Sequence, residues 1–488
     1  MAKKTPYTQC EKLYGMLLAQ IISGVRVKGE LLPTLNEICA QYKVKIGIVL
    51  RALERLEQEG YIRTKRGKQA VVVFENSEAA LLQYLTRKKE ALKDVFQIWR
   101  ILLPNLAVHG ARLCEKNDLD YLRDLLRSYD GETITVDEYT ILIQKFIDRL
   151  VSMFENPILS DLRHQLTLFS KIPYTRSPQD TRADCMDWYR VLEDSLFCIE
   201  HHEESRLIVN FEKLYLSYET RMLEYLAMLP EPNVALSPVE FSWQPENSTP
   251  PLYIDIALQL IMQMSMGNIS DGERLPSIIE LAEKFDASEI TIRGAIRLLN
   301  QLGLIEAKRG RGCTVTLSEA RQRQPALASE TAKQGLKIFL YTMQAIFLLC
   351  PKLAEFSMDF ILDDDIEKIG AWIENGSDAD IFVQGGSPFL QLFLDRMPSK
   401  TLRDIVKHLC DLERWGYFLV FCEYKEYRVG FFAQQIRLVY QALRERDMVK
   451  FGERLQEVYS LNFEAVKENL LLSGIQEVLP IICLRPLR

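Results

Sequence analysis

The chain repeats itself. Sliding its 488 residues against themselves by 243 positions aligns residues 24–72 with 267–315 without a gap. Fifteen positions are identical, among them Gly29/Gly272, Pro33/Pro276, Glu37/Glu280, Gly60/Gly303 and the run Lys65-Arg66-Gly67/Lys308-Arg309-Gly310. The echo continues at an offset of 247, where "VFQIWRILLPNLA" (95–107) overlays "TMQAIFLLCPKLA" (342–354) and sets Pro104 on Pro351. "KNDLDYL" (116–122) overlays "DDDIEKI" (363–369), and "YRVLEDSL" (189–196) overlays "IRLVYQAL" (436–443). A period of roughly 240 residues is too long for a solenoid and fits a duplicated two-domain unit. Between the copies, residues 229–251 hold Pro230, Pro232, Pro238, Pro245, Pro250 and Pro251, a density that blocks helix and predicts an extended linker.

Each copy opens with the rhythm helix–helix–helix–hairpin. In the second, "YIDIALQLIMQMSMG" has helical apolar spacing closed by Gly267. "SIIELAEKF" follows Pro276, and "SEITIRGAIRLLNQLG" starts at a candidate N-cap, Ser288, and stops at Gly303. "LIEAKRGRGCTVTL" alternates as a glycine-tipped hairpin. Three helices and such a hairpin make a winged helix, whose third helix enters the major groove while the wing lies on the backbone. Lysine and arginine at the tip can reach phosphate, and glycine lets the chain turn there. What remains of each copy is helical pattern with almost no strand signal. The fold expected is mainly α, with winged helix-turn-helix domains over 1–74 and 252–317. An all-helical effector-type bundle follows each, over 75–228 and 318–488.

These residues resemble the GntR transcriptional regulators. The match is carried by "GERLPSIIELAEKFDASEITIRGAIRLLNQLGLIEAKRGRGCTV" (272–315) and "GELLPTLNEICAQYKVKIGIVLRALERLEQEGYIRTKRGKQAVV" (29–72). The resemblance implies duplex DNA as partner. Lys45, Lys65, Arg66, Gly67 and Lys68 of the first copy would touch it, with Ser288, Thr291, Arg293, Lys308, Arg309, Gly310 and Arg311 of the second. Of three arginines usual in the family's reading head, only Arg293 is present in the second copy, Ile279 and Glu289 taking the other places. The first copy has none: Asn36, Ile46 and Leu50 stand there. Arginine is the residue that grips guanine bidentately or clamps phosphate, so both heads are altered.

Charge divides the other way. Residues 1–73 carry 13 basic against 6 acidic side chains, net +7; residues 250–317 carry 7 against 8, net −1. Lys43, Lys45, Arg51, Arg55, Lys65, Arg66 and Lys68 suit phosphate contact without base reading, and some of them equally suit a solvated helix face.

The helical parts resemble the effector domain of the FadR-like branch, most clearly in "KFIDRLVSMFENPILSDL" (145–162), where Phe146, Asn156 and Pro157 match. "YQALRERD" (440–447) is similar to that domain's late helix. Many such domains hold a metal through one aspartate and three histidines. Ile143, Ile147 and Ile436 occupy ligand places here, and Trp99 and Ile346 replace an arginine common in the first effector helix. Isoleucine cannot ligate, so no metal or other cofactor is expected, and any effector pocket is apolar. His201 and His202, beside two glutamates, read as a solvated pair. The effector is an unidentified small molecule, and no residue is singled out as binding it.

Ten scattered cysteines, none at CxxC spacing, suggest a reducing compartment rather than a disulfide framework or zinc site, and the chain is expected to be cytoplasmic. "IFLYTMQAIFLLC" (338–350) is shorter than a span and reads as a core helix, and the N-terminus reads as an amphipathic helix, so no membrane is expected. No phosphate loop, nucleophile elbow or HExxH appears, and an enzyme is not expected. The alternative is a ligand-responsive scaffold or protein-binding adaptor that has lost specific reading. With both heads on one chain, a monomer acting as an internal pseudo-dimer is favoured over a homodimer with four heads.

Overall fold

The computed structural model describes residues 9–22, 26–42, 44–65, 67–75, 78–170, 178–230, 238–243, 251–308, 312–318, 329–421 and 426–486. The chain divides into two compact units. One comprises Met1–Pro104, Cys114–Arg149 and Asp161–Glu246; the other comprises Asn105–Leu113, Leu150–Ser160 and Asn247–Arg488. The described residues are mainly helical, with two separate two-stranded antiparallel sheets.

The first unit begins with α1 (Gln9–Ile22), α2 (Leu35–Tyr42), α3 (Ile46–Gln58), β1 (Ile62–Lys65) and β2 (Lys68–Val72). In the second, α10 (Leu252–Ser265), α11 (Ile278–Phe285), α12 (Glu289–Gln301), β3 (Ile305–Lys308) and β4 (Gly312–Val315) repeat this order. The duplication extends to individual bonds. Gly29 N donates to Val72 O at 2.8 Å, as Gly272 N does to Val315 O at 2.9 Å. Leu32 N donates to Ala70 O at 2.8 Å, and Leu275 N to Cys313 O at 3.0 Å. These bonds tie the segment before the second helix to the wing. Thr34 and Glu37 form a reciprocal capping pair, as do Ser277 and Glu280. Gly60 and Gly303, at φ 82° and 74°, end the third helices in the left-handed region, where a β-carbon would strain the backbone.

The helical part of the first copy comprises α4 (Glu78–Ala111), α5 (Lys116–Arg127), α6 (Val136–Ser152), α7 (Pro157–Ser170), α8 (Pro178–Glu200) and α9 (Glu204–Ala227). That of the second comprises α13 (Glu330–Ser357), α14 (Asp363–Asn375), α15 (Asp378–Gln384), α16 (Ser387–Arg396), α17 (Lys400–Glu413), α18 (Gly416–Leu419), α19 (Glu426–Arg444) and α20 (Met448–Leu472). Pro104 and Pro351 lie inside α4 and α13, near equivalent ends. A helical proline frees the carbonyl four residues back, and in α13 a side chain answers it. Gln456 Nε2, from α20, donates to Phe347 O at 3.1 Å, and Asn105 Nδ2 donates to the neighbouring Leu348 O at 3.2 Å. Gly452 lets α20 reach this kink, since a β-carbon there would sit 2.7 Å from Pro351 Cα.

Helix α13 contains the apolar run read above as core. By length and composition it alone among the described residues could cross a membrane, yet 72% of its most apolar window is buried within the protein. In the proline-rich segment, residues 231–237 and 244–250 lie outside the described residues. Residues 238–243 carry no helix or strand, and they are docked. Trp243 is fully buried with Nε1 donating to Asp161 Oδ2 at 3.0 Å, and Phe241 packs edge-on against Phe169.

The Lys88 cation is sealed inside the first unit. Lys88 is 1% exposed, its Nζ donating to Phe169 O at 2.6 Å and lying 4.0 Å from the Phe169 ring centroid. Burial pulls its pKa down from 10.5 to about 7. The unfolded chain therefore binds this proton more tightly between pH 7 and 10.5. The folding cost is complete below pH 7 and fades as pH rises through that window. Lys88→Met is expected to raise stability at pH 6 by on the order of 1–3 kcal/mol, with the gain shrinking by pH 9.5. Urea unfolding at both pH values checks this; an equal difference at the two would contradict it.

Candidate nucleic-acid interface

In α3, one face is core: Val49, Ala52 and Leu56 are completely buried and Leu53 nearly so. That leaves Lys45, Ile46, Gly47, Leu50, Arg51 and Glu54 exposed on the other side. Lys45 is the N-cap, in extended conformation with no side-chain cap bond, and the first turn has no acidic residue. A helix N-terminus favours an accepting side chain and negative charge; here it presents lysine and no acidic residue, chemistry that suits an approaching phosphate. Arg51 donates Nε to Gly47 O at 3.2 Å, which occupies one of its five donors. Arg55, a phosphate candidate by sequence, is engaged otherwise. It lies 4.0 Å from the Tyr14 ring centroid and pairs with Glu59 at 3.0 Å, so it braces α3 on α1. Lys43 lies outside the described residues.

In α12 the inner face is Ile292, Ala295, Ile296 and Leu299, but the N-terminus is complete. Ser288 caps it, its Oγ accepting from Thr291 N at 3.2 Å and lying 2.8 Å from Thr291 Oγ1. Glu289 supplies the negative charge of the first turn. One turn on, Arg293 pairs with Glu289 at 3.2 Å, both side chains more than half exposed. An exposed pair at this spacing is worth only about 0.3–0.5 kcal/mol, so Arg293 is held rather than locked. Ile290 between them is 83% exposed.

The wings are equal in length but differ in register, the first having a shift between Arg63 and Lys65 that the second does not have. β1 and β2 are separated by Arg66 and Gly67, with Gly67 at φ 75°. Lys65 faces Lys68 across the strands, both exposed. Like charges directly opposite repel, and phosphate between them would relieve that repulsion. Arg63, missed by motif reading, shares the outward face of β1 with Lys65; the two-residue period of a strand would have found it. These side chains, with Thr34, Leu31 and Gly67, border an open groove of about 510 Å³. In the second wing, Lys308 pairs with Gly312. Arg66, Arg309, Gly310 and Arg311 lie outside the described residues, as does the side chain of Lys308.

In the helical parts, the ligand-place residues Ile147 and Ile436 are buried core, as are Trp99 and Ile346. His201 is exposed, stacked on the Phe197 ring at 4.0 Å between centroids.

Two winged helices with outward reading faces and basic wings define a DNA-binding regulator. The family model "Bacterial regulatory proteins, gntR family" matches residues 9–72 and again 252–315. The uncharacterized HTH-type transcriptional regulator YdhC of Bacillus subtilis is 26% identical over 221 residues, covering 45% of this chain and 87% of that protein. The HTH-type transcriptional regulator LutR of the same organism is 28% identical over 153 residues, covering 30% of this chain and 68% of its own. A solved Streptococcus agalactiae GntR structure aligns with 43% of this chain and 99% of its own at 19% identity, with a TM-score of 0.19. The chain carries the reading domain of the GntR family of helix-turn-helix transcriptional regulators twice, over residues 9–72 and 252–315.

Glu289 both holds Arg293 and places a negative charge where DNA would lie. Glu289→Gln is therefore expected to tighten duplex binding about threefold or more, while Arg293→Ala weakens it. Fluorescence anisotropy on a labelled duplex measures both; unchanged or weaker binding by Glu289→Gln would contradict the assignment.

Proposed function

We propose that this chain is a DNA-binding transcriptional regulator whose two heads engage one asymmetric site in different ways. The second head reads bases through Ser288–Arg293. The first grips phosphates with Lys45, Lys65, Arg66 and Lys68, with Gly67 allowing close approach; Lys308, Arg309, Gly310 and Arg311 do the same at the second wing. The observation that carries this is the contrast between the two helix N-termini, one capped by serine with glutamate in its first turn, the other starting at lysine with no side-chain cap bond and no acidic residue in its first turn.

The helical domains, over 75–228 and 318–488, would take the small-molecule effector. Buried isoleucines at the ligand places support a metal-free, apolar pocket. The favoured assembly is one chain acting as a pseudo-dimer. In support, residues 105–113 and 150–160 of the first copy belong to the same compact unit as the second copy. There Asn156 Nδ2 donates to Tyr341 O and to Gln344 Oε1, both at 2.9 Å, on α13. Such a buried amide is the kind of tie that an interface between subunits would otherwise supply.

A second reading, a scaffold without DNA reading, draws on the apolar exposure of Ile46 and Leu50. Salt separates the two. Phosphate contacts release counterions, so affinity for bulk duplex should fall steeply with salt, and the triple change Lys45→Ala, Lys65→Ala, Lys68→Ala should flatten the log–log slope by roughly 0.9 per lysine. Salt-independent or absent duplex binding would favour the scaffold.

A further inference from the structure

Ile46 and Leu50 stand one turn apart on the outer face of α3, 51% and 50% exposed. They are no part of the core, which Val49, Ala52, Leu53 and Leu56 complete on the opposite side. Two branched aliphatic side chains held in water at the centre of a reading face are unfavourable for the isolated protein. At the N-terminal end of this face they are flanked by Lys45 and Arg51, and Glu54 follows one turn after Leu50.

Gly47 lies between them. It is exposed, and a β-carbon there would meet nothing within 4 Å. Its φ is not positive, so neither backbone conformation nor packing calls for glycine. A helical glycine costs about 0.5–1 kcal/mol relative to alanine. Left unexplained by the fold, it fits a backbone that something outside approaches closely.

An occupant must therefore offer negative charge at the edges and apolar groups at the centre, within reach of a smooth helix face. The major groove has that pattern wherever thymine occurs, because its C5-methyl is the apolar feature of a base-pair edge between two phosphate rails. We infer that Ile46 and Leu50 read thymine methyl groups. The first winged helix is then a reading head specific for A·T pairs through methyl contact, and not only a phosphate clamp. This rests on the DNA-binding function proposed above and gives the arginine-less head a specificity of its own.

The test uses the full chain. A bound site is selected from randomised duplex, the half under the first head is located by footprinting, and its thymines are replaced by deoxyuridine, which removes only the methyl groups. Affinity should fall roughly fourfold for each buried methyl group removed. The double variant Ile46→Ala, Leu50→Ala should bind the thymine and uracil duplexes equally. Both side chains are exposed, so the fold should survive, and circular dichroism checks it. Leu50→Arg should move preference at the contacted pair from T·A toward G·C. Equal wild-type affinity for thymine and uracil sites, or G·C pairs selected there, would overturn methyl reading while leaving DNA binding intact. Absence of any duplex binding by the wild-type chain would overturn both, and capture of a protein by the Ile46–Leu50 face with no thymine dependence would replace methyl reading with docking.

Discussion

Everything proposed for the two heads depends on burial of one face of the third helix. In α3, Val49, Ala52, Leu53 and Leu56 lock the rotation of the helix, and Ile292, Ala295, Ile296 and Leu299 do so in α12. Because side chains at i and i+4 share a face, fixing the inner stripe also fixes which residues face out. The wing bonds from Gly29 and Gly272 then set the hairpin beside that face. Duplication preserved this frame bond for bond and left the outer residues to diverge.

Divergence gave two electrostatic solutions on the same frame. The second head satisfies itself: serine caps the helix, glutamate balances the dipole and also holds the one family arginine. Such a head is stable without DNA and meets it with weak net charge. The first head is unsatisfied, with lysine at the N-cap, two lysines opposed across the wing and aliphatics in water. Local choices that conflict with folding mark sites where function compensates, and under the proposal a major groove with phosphate rails and thymine methyl groups would resolve each conflict. Under the proposal the +7 charge of residues 1–73 would draw that head to DNA, and the chemistry of α12 would add discrimination.

Much of this was legible in sequence because the repeat placed glycines, prolines and capping pairs in register. The capping of α11 and the proline in each long helix follow from local chemistry that a motif preserves. The Glu289–Arg293 pair was also within reach, since i,i+4 spacing predicts it. Other features were not. That Arg55 serves Tyr14 and Glu59 rather than phosphate depends on α1 lying across it, a tertiary fact. The docking of Trp243 on Asp161 was hidden by prolines that signal only an extended chain. Lys88 sits in a run of charges that reads as surface, and its burial is imposed by the rings around it. Gln456 answers a carbonyl freed by a proline 105 positions earlier, a partnership no local pattern encodes.

The central claim is that one chain, with two unlike heads, occupies one asymmetric site. Sedimentation equilibrium of the full-length protein on a selected duplex tests it most directly. The account predicts a complex of one chain per duplex on a site whose halves differ in sequence. Two chains per duplex on a perfect inverted repeat would contradict it.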